Sequence, residues 1–152
     1  MIAEQYKNRY FINGINLYDT YGVIVEKGGY DELMKEPKRK QGYTHVWLEN
    51  NGTERDIINY FETRNVTLIF TFVCTTLADY QDKHYALFNF MKNNKFFIQS
   101  NTLAKQWELL YDSETSVEYL TDIYAGGLVI AKHTLSFFND SVFSTPFTPI
   151  TI

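Results

Sequence analysis

Hydrophobic and polar positions alternate between Val66 and Thr75, and the period then changes to that of a helix. One face of the predicted strand is fully apolar and consists of Val66, Leu68, Phe70, Phe72 and Cys74. Most residues of this stretch are β-branched or aromatic, which suits a pleated surface. The pattern predicts a central strand with one face in the core.

The segment after this strand carries an apolar stripe with helical spacing. Its members recur at i, i+4, i+7, i+8 and i+11 and are Tyr80, His84, Leu87, Phe88 and Met91. Thr76, with Asp79 three positions later, resembles a capping box in which Asp replaces Glu. Asn93 and Asn94 supply a stop signal. The pattern predicts one helix over about residues 77–93, the one convincing helix in the chain.

Turn signals divide the rest of the chain into short extended segments. Asn13-Gly14 and Asn51-Gly52 are dipeptides typical of tight hairpin turns. Besides the central strand and the first hairpin, we predict strands at residues 22–26, 46–49, 55–61, 96–100, 107–111, 117–124 and 128–138. About nine short strands and one helix predict a mostly β (α+β) fold, a β-sandwich or flattened barrel with one flanking helix.

Two segments break the strand pattern. Residues 30–45 contain Pro37, which a regular helix interior excludes, and they are predicted to form an exposed loop. Long loops tend to be functional or disordered, so this one is either a solvated connection or an interaction arm. Residues 141–152 are predicted to be an extended C-terminal tail that lies on a surface.

Composition narrows the class of protein. A chain of 152 residues predicts a single domain over residues 1–152. A net charge of −4 gives no support for a nucleic acid as the partner. The single Cys74 excludes an internal disulfide framework. The polar start predicts no signal peptide, and no apolar run reaches the ~18 residues of a membrane span. We therefore expect a protein made in the cytoplasm.

The sequence carries few residues with the spacing of a chemical site. It contains no glycine-rich phosphate loop, no GxSxG and no HExxH motif. His45, His84 and His133 fall in three different elements, and we expect His84 and His133 to be structural. A solvated acidic patch is predicted around one turn, formed by Asp112, Glu114, Glu118 and Asp122. The prediction is a protein without catalytic, cofactor-binding or metal-binding residues, and thus not an enzyme.

The two tryptophans leave a different function open. Trp47 and Trp107 lie in short predicted strands, where core packing is the default interpretation. If these rings or tyrosine rings were exposed, they would suit a β-sandwich binding module for carbohydrate or peptide. Ligand-dependent quenching of Trp47 or Trp107 would identify such a module.

Four segments, in their order along the chain, carry a family resemblance. They are the opening FINGINLYDTYGVIVEKGG, the loop with Pro37-Lys38-Arg39, the strand and helix TLIFTFVCTTLADYQDKHYALFNFM, and the closing GGLVIAKHTLSFFND. From roughly Phe11 to Asp140, the chain resembles the N-terminal domain of phage distal tail proteins, whose fold is similar to that of tail-tube proteins. The segment after the loop matches the family's G-R-D-G-like turn only loosely. Many members also carry a second domain.

The resemblance implies a structural, ring-forming component of a phage or prophage tail, of distal tail or tail-tube type. It implies a homohexamer around a channel, with copies of itself and other tail proteins as partners, in the virion tail. In that family the long loop contacts the neighbouring ring or subunit, so residues 30–45 are the candidate stacking arm. The residues that would do so here are Met34, Lys35, Pro37, Lys38, Arg39 and Lys40. Edge strands would continue the sheet between subunits.

Overall fold

The computed structural model describes residues 9–26, 28–38, 44–47, 52–55, 61–140 and 144–149. The strands in these ranges are β1 (Tyr10–Ile12), β2 (Ile15–Asn16), β3 (Val23–Val25), β4 (Thr44–Trp47), β5 (Gly52–Arg55), β6 (Arg64–Cys74), β7 (Phe96–Ser100), β8 (Lys105–Tyr119), β9 (Val129–Asn139) and β10 (Thr145–Pro146). The helices there are α1 (Leu17–Tyr21), α2 (Gly29–Met34) and α3 (Leu77–Asn93). The mostly β prediction is confirmed.

One antiparallel sheet of eight strands dominates the described part of the chain. Its order is β2-β1-β7-β8-β9-β6-β3, with β10 added to β8. The first part of β8 pairs with β7, up to Leu109, and the second part pairs with β9, from Leu110 onward. Strand β8 therefore belongs to both halves of the sheet. Strands β4 and β5 form a separate hairpin.

The core lies on the inward faces of β6 and β9. The predicted apolar face of β6, from Val66 to Cys74, is at most 1% exposed at each position. Strand β9 alternates strictly between buried and half-buried residues. The register places Phe70 opposite His133 and Phe72 opposite Ala131. Local alternation therefore predicted the buried face of β6 correctly.

Helix α3 has the bounds that its apolar stripe predicted. The Thr76 hydroxyl accepts a hydrogen bond from the Asp79 backbone N–H at 3.1 Å, as in the predicted cap. The Asp79 carboxylate pairs with Lys83 at 3.3 Å. Tyr80 packs edge-on against Phe72 of β6 with 5.6 Å between ring centroids, so the helix covers this part of the sheet. No helix in the described ranges has both the length and the apolar character to span a membrane.

Strand β8 corrects the prediction of two strands separated by a polar turn. It continues from Lys105 through the expected turn at Asp112 to Tyr119. Pairing with β9 supplies partners for the backbone there, and two bulges accommodate the polar residues. The turn prediction failed because polar composition indicates exposure, and a paired strand can be exposed on one face.

The short helices correct the prediction that α3 is the one helix. Helix α2 occupies Gly29–Met34, so it overlaps the start of the predicted loop, and it ends before Pro37. Its Leu33 is 1% exposed and belongs to the core. A Cβ on Gly29 would approach Val25, Tyr10 and Leu68, so the backbone of α2 lies closely against residues of β1, β3 and β6. A helix of six residues is too short for an apolar stripe to reveal it.

Part of the predicted tail pairs with its own chain. Thr145 and Pro146 of β10 lie opposite Gln106 and Lys105 of β8. The predicted strand at residues 55–61 falls largely outside the described residues. Asn13 and Gly14 have φ angles of 48° and 81°, which confirms the predicted tight turn between β1 and β2.

Candidate functional site

The predicted contact residues fall within residues 34–40 of the predicted loop 30–45, and this contact loop begins at the end of α2. Met34, Lys35 and Lys38 are exposed, and Pro37 is half-buried. Arg39 and Lys40 lie outside the described residues. The described part of the contact loop therefore presents its basic side chains to solvent.

Arg64, the first residue of β6, holds the base of the contact loop. Its guanidinium donates hydrogen bonds to the backbone carbonyls of Glu32, Leu33 and Lys35. A helix end leaves such carbonyls without helical partners, and a cation there is favourable. Burial lowers the pKa of Arg64, whereas the nearby carboxylates of Glu36 and Glu32 raise it. The arginine thus joins α2 to the start of the central strand.

The far end of β6 carries a second exposed surface. Cys74, the last residue of β6, pairs with Val129, where the connection from β8 to β9 returns to the sheet. This connection and the adjoining strand ends form the hairpin tip, residues 117–128. Its exposed large side chains are Val117, Tyr119, Leu120, Tyr124 and Leu128. Apolar groups concentrated in this way are typical of a surface that contacts another molecule.

Between α3 and the β8–β9 hairpin lies a polar cluster that no sequence motif indicated. His84, Glu114 and His133 each offer one ligand-type atom, and these atoms lie within 4.8 Å of one another. His133 is 2% exposed, whereas the Glu114 side chain retains 24% of its surface. The cluster thus reaches from the core to solvent. The expectation that His84 and His133 occupy separate elements holds, but the fold brings them together.

The β-bulge that precedes Glu114 decides where its side chain lies. In an unbroken strand, Glu114 would point away from the face that holds Tyr111, because side chains alternate. One irregularity in the pairing of β8 with β9 lies between Tyr111 and Ser113, and a second follows Glu114. Each extra residue reverses the alternation. Glu114 therefore lies opposite the buried Leu135, on the inward face.

Hydrogen bonds occupy both ring nitrogens of His133. Nε2 lies 2.8 Å from the Tyr80 hydroxyl, and Nδ1 lies 3.3 Å from Oε2 of Glu114. The Tyr80 hydroxyl also lies 3.4 Å from that of Tyr119. A carboxylate accepts and cannot donate, so Nδ1 carries the proton and Nε2 accepts from Tyr80. Tyr80 therefore donates to His133, and His133 donates to Glu114.

The environment keeps both imidazoles neutral near pH 7. Burial lowers the pKa of His133, although Glu114 raises it. Burial and then the neighbouring His133 lower the pKa of His84, against a rise caused by Glu114. The His84 ring stacks on Phe88 with 4.4 Å between centroids and lies 4.9 Å from the His133 ring. Neutral imidazole is the form that binds metals.

The binding-module alternative requires an exposed aromatic platform. Trp107 is 1% exposed and lies in the core, so it cannot stack on a ligand. The Trp47 side chain lies outside the described residues. Tyr85 and Tyr124 are exposed, on α3 and on the hairpin tip respectively. Among the side chains that the structure describes, such tyrosines are the candidates for the alternative.

Comparison with known proteins identifies a fold. No family model and no curated protein matches this sequence. The structure is similar to the crystal structure of the phage SPP1 Dit protein, described as a paradigm of hub adsorption apparatus in phages that infect Gram-positive bacteria. The TM-score is 0.52 at 13% sequence identity, and the match covers 91% of this chain and 51% of that one. The chain thus spans about half the length of the Dit protein.

Proposed function

We propose that this chain is a structural component of a phage tail, of distal tail or tail-tube type, that assembles with copies of itself into a ring. The fold shared with the SPP1 Dit protein over 91% of the chain carries the proposal. The proposed ring is a hexamer around a channel, other tail proteins are its further partners, and its location is the virion tail. The role includes no catalytic step.

The positions of two surfaces support contacts between copies. The contact loop is joined to Arg64 at one end of β6, and the hairpin tip follows Cys74 and Val129 at the other end. At about 3.3 Å per residue, an 11-residue strand separates these ends by roughly 33 Å. Two different surfaces at opposite ends suit a head-to-tail contact, in which each copy offers one surface to each neighbour. Such contacts close into a ring when the rotation permits.

The charges of the two surfaces are complementary. The contact loop carries Lys35, Lys38, Arg39 and Lys40 against the single Glu36. The hairpin tip carries Glu118 and Asp122 and no basic residue. Opposite charges favour the contact of loop with tip and disfavour loop with loop or tip with tip. The exposed apolar side chains of the tip supply area that a neighbouring copy would bury.

Light scattering after size-exclusion chromatography, with negative-stain imaging of the same fractions, tests the proposal. We expect oligomers that increase with protein concentration and ring-shaped particles. Leu120→Ser combined with Tyr124→Ser should weaken assembly, because both side chains lie on the hairpin tip. Tyr85→Ser is the matched control, since Tyr85 is an exposed tyrosine on α3. A monomer at every concentration up to the millimolar range would contradict the proposal.

A further inference from the structure

We propose that His84, Glu114 and His133 form a zinc site that joins α3 to the β8–β9 hairpin. The inference goes beyond ring formation and does not depend on it. Two imidazoles and one carboxylate are a known ligand set for Zn²⁺, with a fourth position left for water. The ligand atoms lie within 4.8 Å of one another. The proposal replaces the prediction, made from residue spacing, of no metal-binding residues.

The distances fit a zinc site after a small adjustment. Zn²⁺ binds nitrogen and oxygen at roughly 2.0–2.2 Å, so neighbouring ligands of a tetrahedral site lie about 3.4 Å apart. His133 Nδ1 and Glu114 Oε2 are already 3.3 Å apart. His84 is half-buried and Glu114 partly exposed, so their side chains can rotate to close the remaining gap. His133 is held in the core, which makes it the fixed ligand.

Tyr80 is the partner that would orient His133. Metal-binding histidines almost always use the second ring nitrogen in a hydrogen bond that sets the tautomer. With zinc on Nδ1, the proton of His133 moves to Nε2, and Nε2–H donates to the Tyr80 oxygen 2.8 Å away. The Tyr80 hydroxyl then donates to Tyr119, 3.4 Å away. The hydrogen bond between Tyr80 and His133 thus reverses its direction, and both groups keep a partner.

The other side of the cluster is closed by apolar rings. Phe88 stacks on His84, and Phe72 lies edge-on to His133 with 5.1 Å between centroids. Among the described residues, no hydrogen bond to the ring of His84 competes with a metal ion. An apolar wall strengthens the electrostatic attraction between the cation and the Glu114 carboxylate. The solvent side, where Glu114 is partly exposed, provides the entry path.

Titration of the purified chain with Zn²⁺, and with Co²⁺ as an absorbing probe, tests the site. We expect one ion per chain and the visible absorption bands of four-coordinate Co²⁺. His84→Gln and Glu114→Gln each remove one ligand without emptying the core, and each should weaken Zn²⁺ binding by more than 10-fold. Glu118→Gln removes the same chemical group as Glu114→Gln, but on the exposed part of the hairpin tip, and should leave binding unchanged. Circular dichroism checks that each variant is folded.

The role of Tyr80 has a separate test. Tyr80→Phe keeps the ring and removes the hydroxyl, and should weaken Zn²⁺ binding by about 10–100-fold. Nitrogen-15 NMR of the wild-type chain should show the proton of His133 on Nδ1 without zinc and on Nε2 with zinc. Absence of stoichiometric binding would overturn the proposal. So would binding that His84→Gln and Glu114→Gln leave unchanged, because the ion would then sit elsewhere.

Discussion

At the scale of single residues, Cys74 shows how position controls chemistry. It ends β6, is 1% exposed, and is the single cysteine of the chain. Burial raises the pKa of its thiol, while the ammonium of Lys83 lowers it and the carboxylate of Asp79 raises it. The thiolate is the reactive form, so both burial and protonation protect this residue. It behaves as a small core side chain.

We therefore predict that the native chain resists thiol reagents. Labelling of Cys74 should be at least about 100-fold slower than in the urea-unfolded chain, which corresponds to a local opening free energy of roughly 3 kcal/mol. Raising the pH from about 7 to about 8.5 should accelerate labelling of the unfolded chain, whose thiol titrates near its ordinary pKa. In the native chain, the rate of Cys74 labelling should depend on how often β6 opens locally. Rapid stoichiometric labelling of the native chain would contradict the buried position.

At the scale of elements, the junction between α1 and β3 depends on Gly22. This residue caps α1 with a φ of 66°, and its N–H donates to carbonyls of the preceding turn. A Cβ there would lie 3.0 Å from the carbonyl oxygen of Val73 and 3.4 Å from Sγ of Cys74. Gly22 therefore meets two requirements, a left-handed backbone and close contact with β6. Helix α1 and the central strand are joined through this contact.

Gly22→Ala should lower the free energy of unfolding by more than a glycine substitution that causes backbone strain alone. Left-handed backbone at a residue with a side chain costs roughly 1–2 kcal/mol, and the contact with Val73 adds to it. Gly126 is the matched control, because its φ is 77° and a Cβ there would meet nothing within 4 Å. Urea unfolding of the two variants measures the difference. If Gly22→Ala and Gly126→Ala lost the same free energy of unfolding, β6 would have moved to accommodate the methyl group at position 22.

At the scale of the whole molecule, the residues of the contact loop and those of the hairpin tip carry opposite net charge. The contact loop is basic and the hairpin tip is acidic and apolar. The net charge of −4 conceals this separation, because it sums over both ends. A head-to-tail assembly uses the separation, and its strength should fall with salt, which screens exposed charges.

A charge exchange between the two surfaces gives a specific prediction. The variant Lys35→Glu with Lys38→Glu makes the contact loop acidic, and the variant Glu118→Lys with Asp122→Lys makes the hairpin tip basic. Each variant alone should assemble less than the wild type, because like charges then meet. A mixture of the two should regain assembly, since each loop again finds a tip of opposite charge. Light scattering of the separate and mixed samples measures this.

The exposed Asp82 on α3 offers the control. Asp82→Lys adds positive charge, as the hairpin-tip variant does, but at a site outside both surfaces. It should leave assembly unchanged. If the mixture assembled no better than its components, the loop and the tip would not be partners. Equal weakening by Asp82→Lys would point to net charge as the cause.

Several residues show why the sequence anticipated part of the fold and little of the polar cluster. Thr76 and the apolar stripe of α3 predicted that helix with its correct bounds, because a cap and a period act within one segment. Glu114 was assigned to a solvated patch around a turn. Its inward position follows from the bulge between Tyr111 and Ser113, which exists only once β8 pairs with β9. A run of small polar residues inside a strand pattern is the one signal that could have indicated it.

The sequence by itself determined α3 and the buried faces of β6 and β9, because each depends on a periodicity that the segment carries alone. The tertiary structure decided the continuity of β8, the helix α2 in the predicted loop, and the meeting of His84, Glu114 and His133. It also decided that the contact loop and the hairpin tip lie at opposite ends of the central strand. These features depend on backbone pairing and contacts between segments far apart in the chain, which no local pattern of residues records.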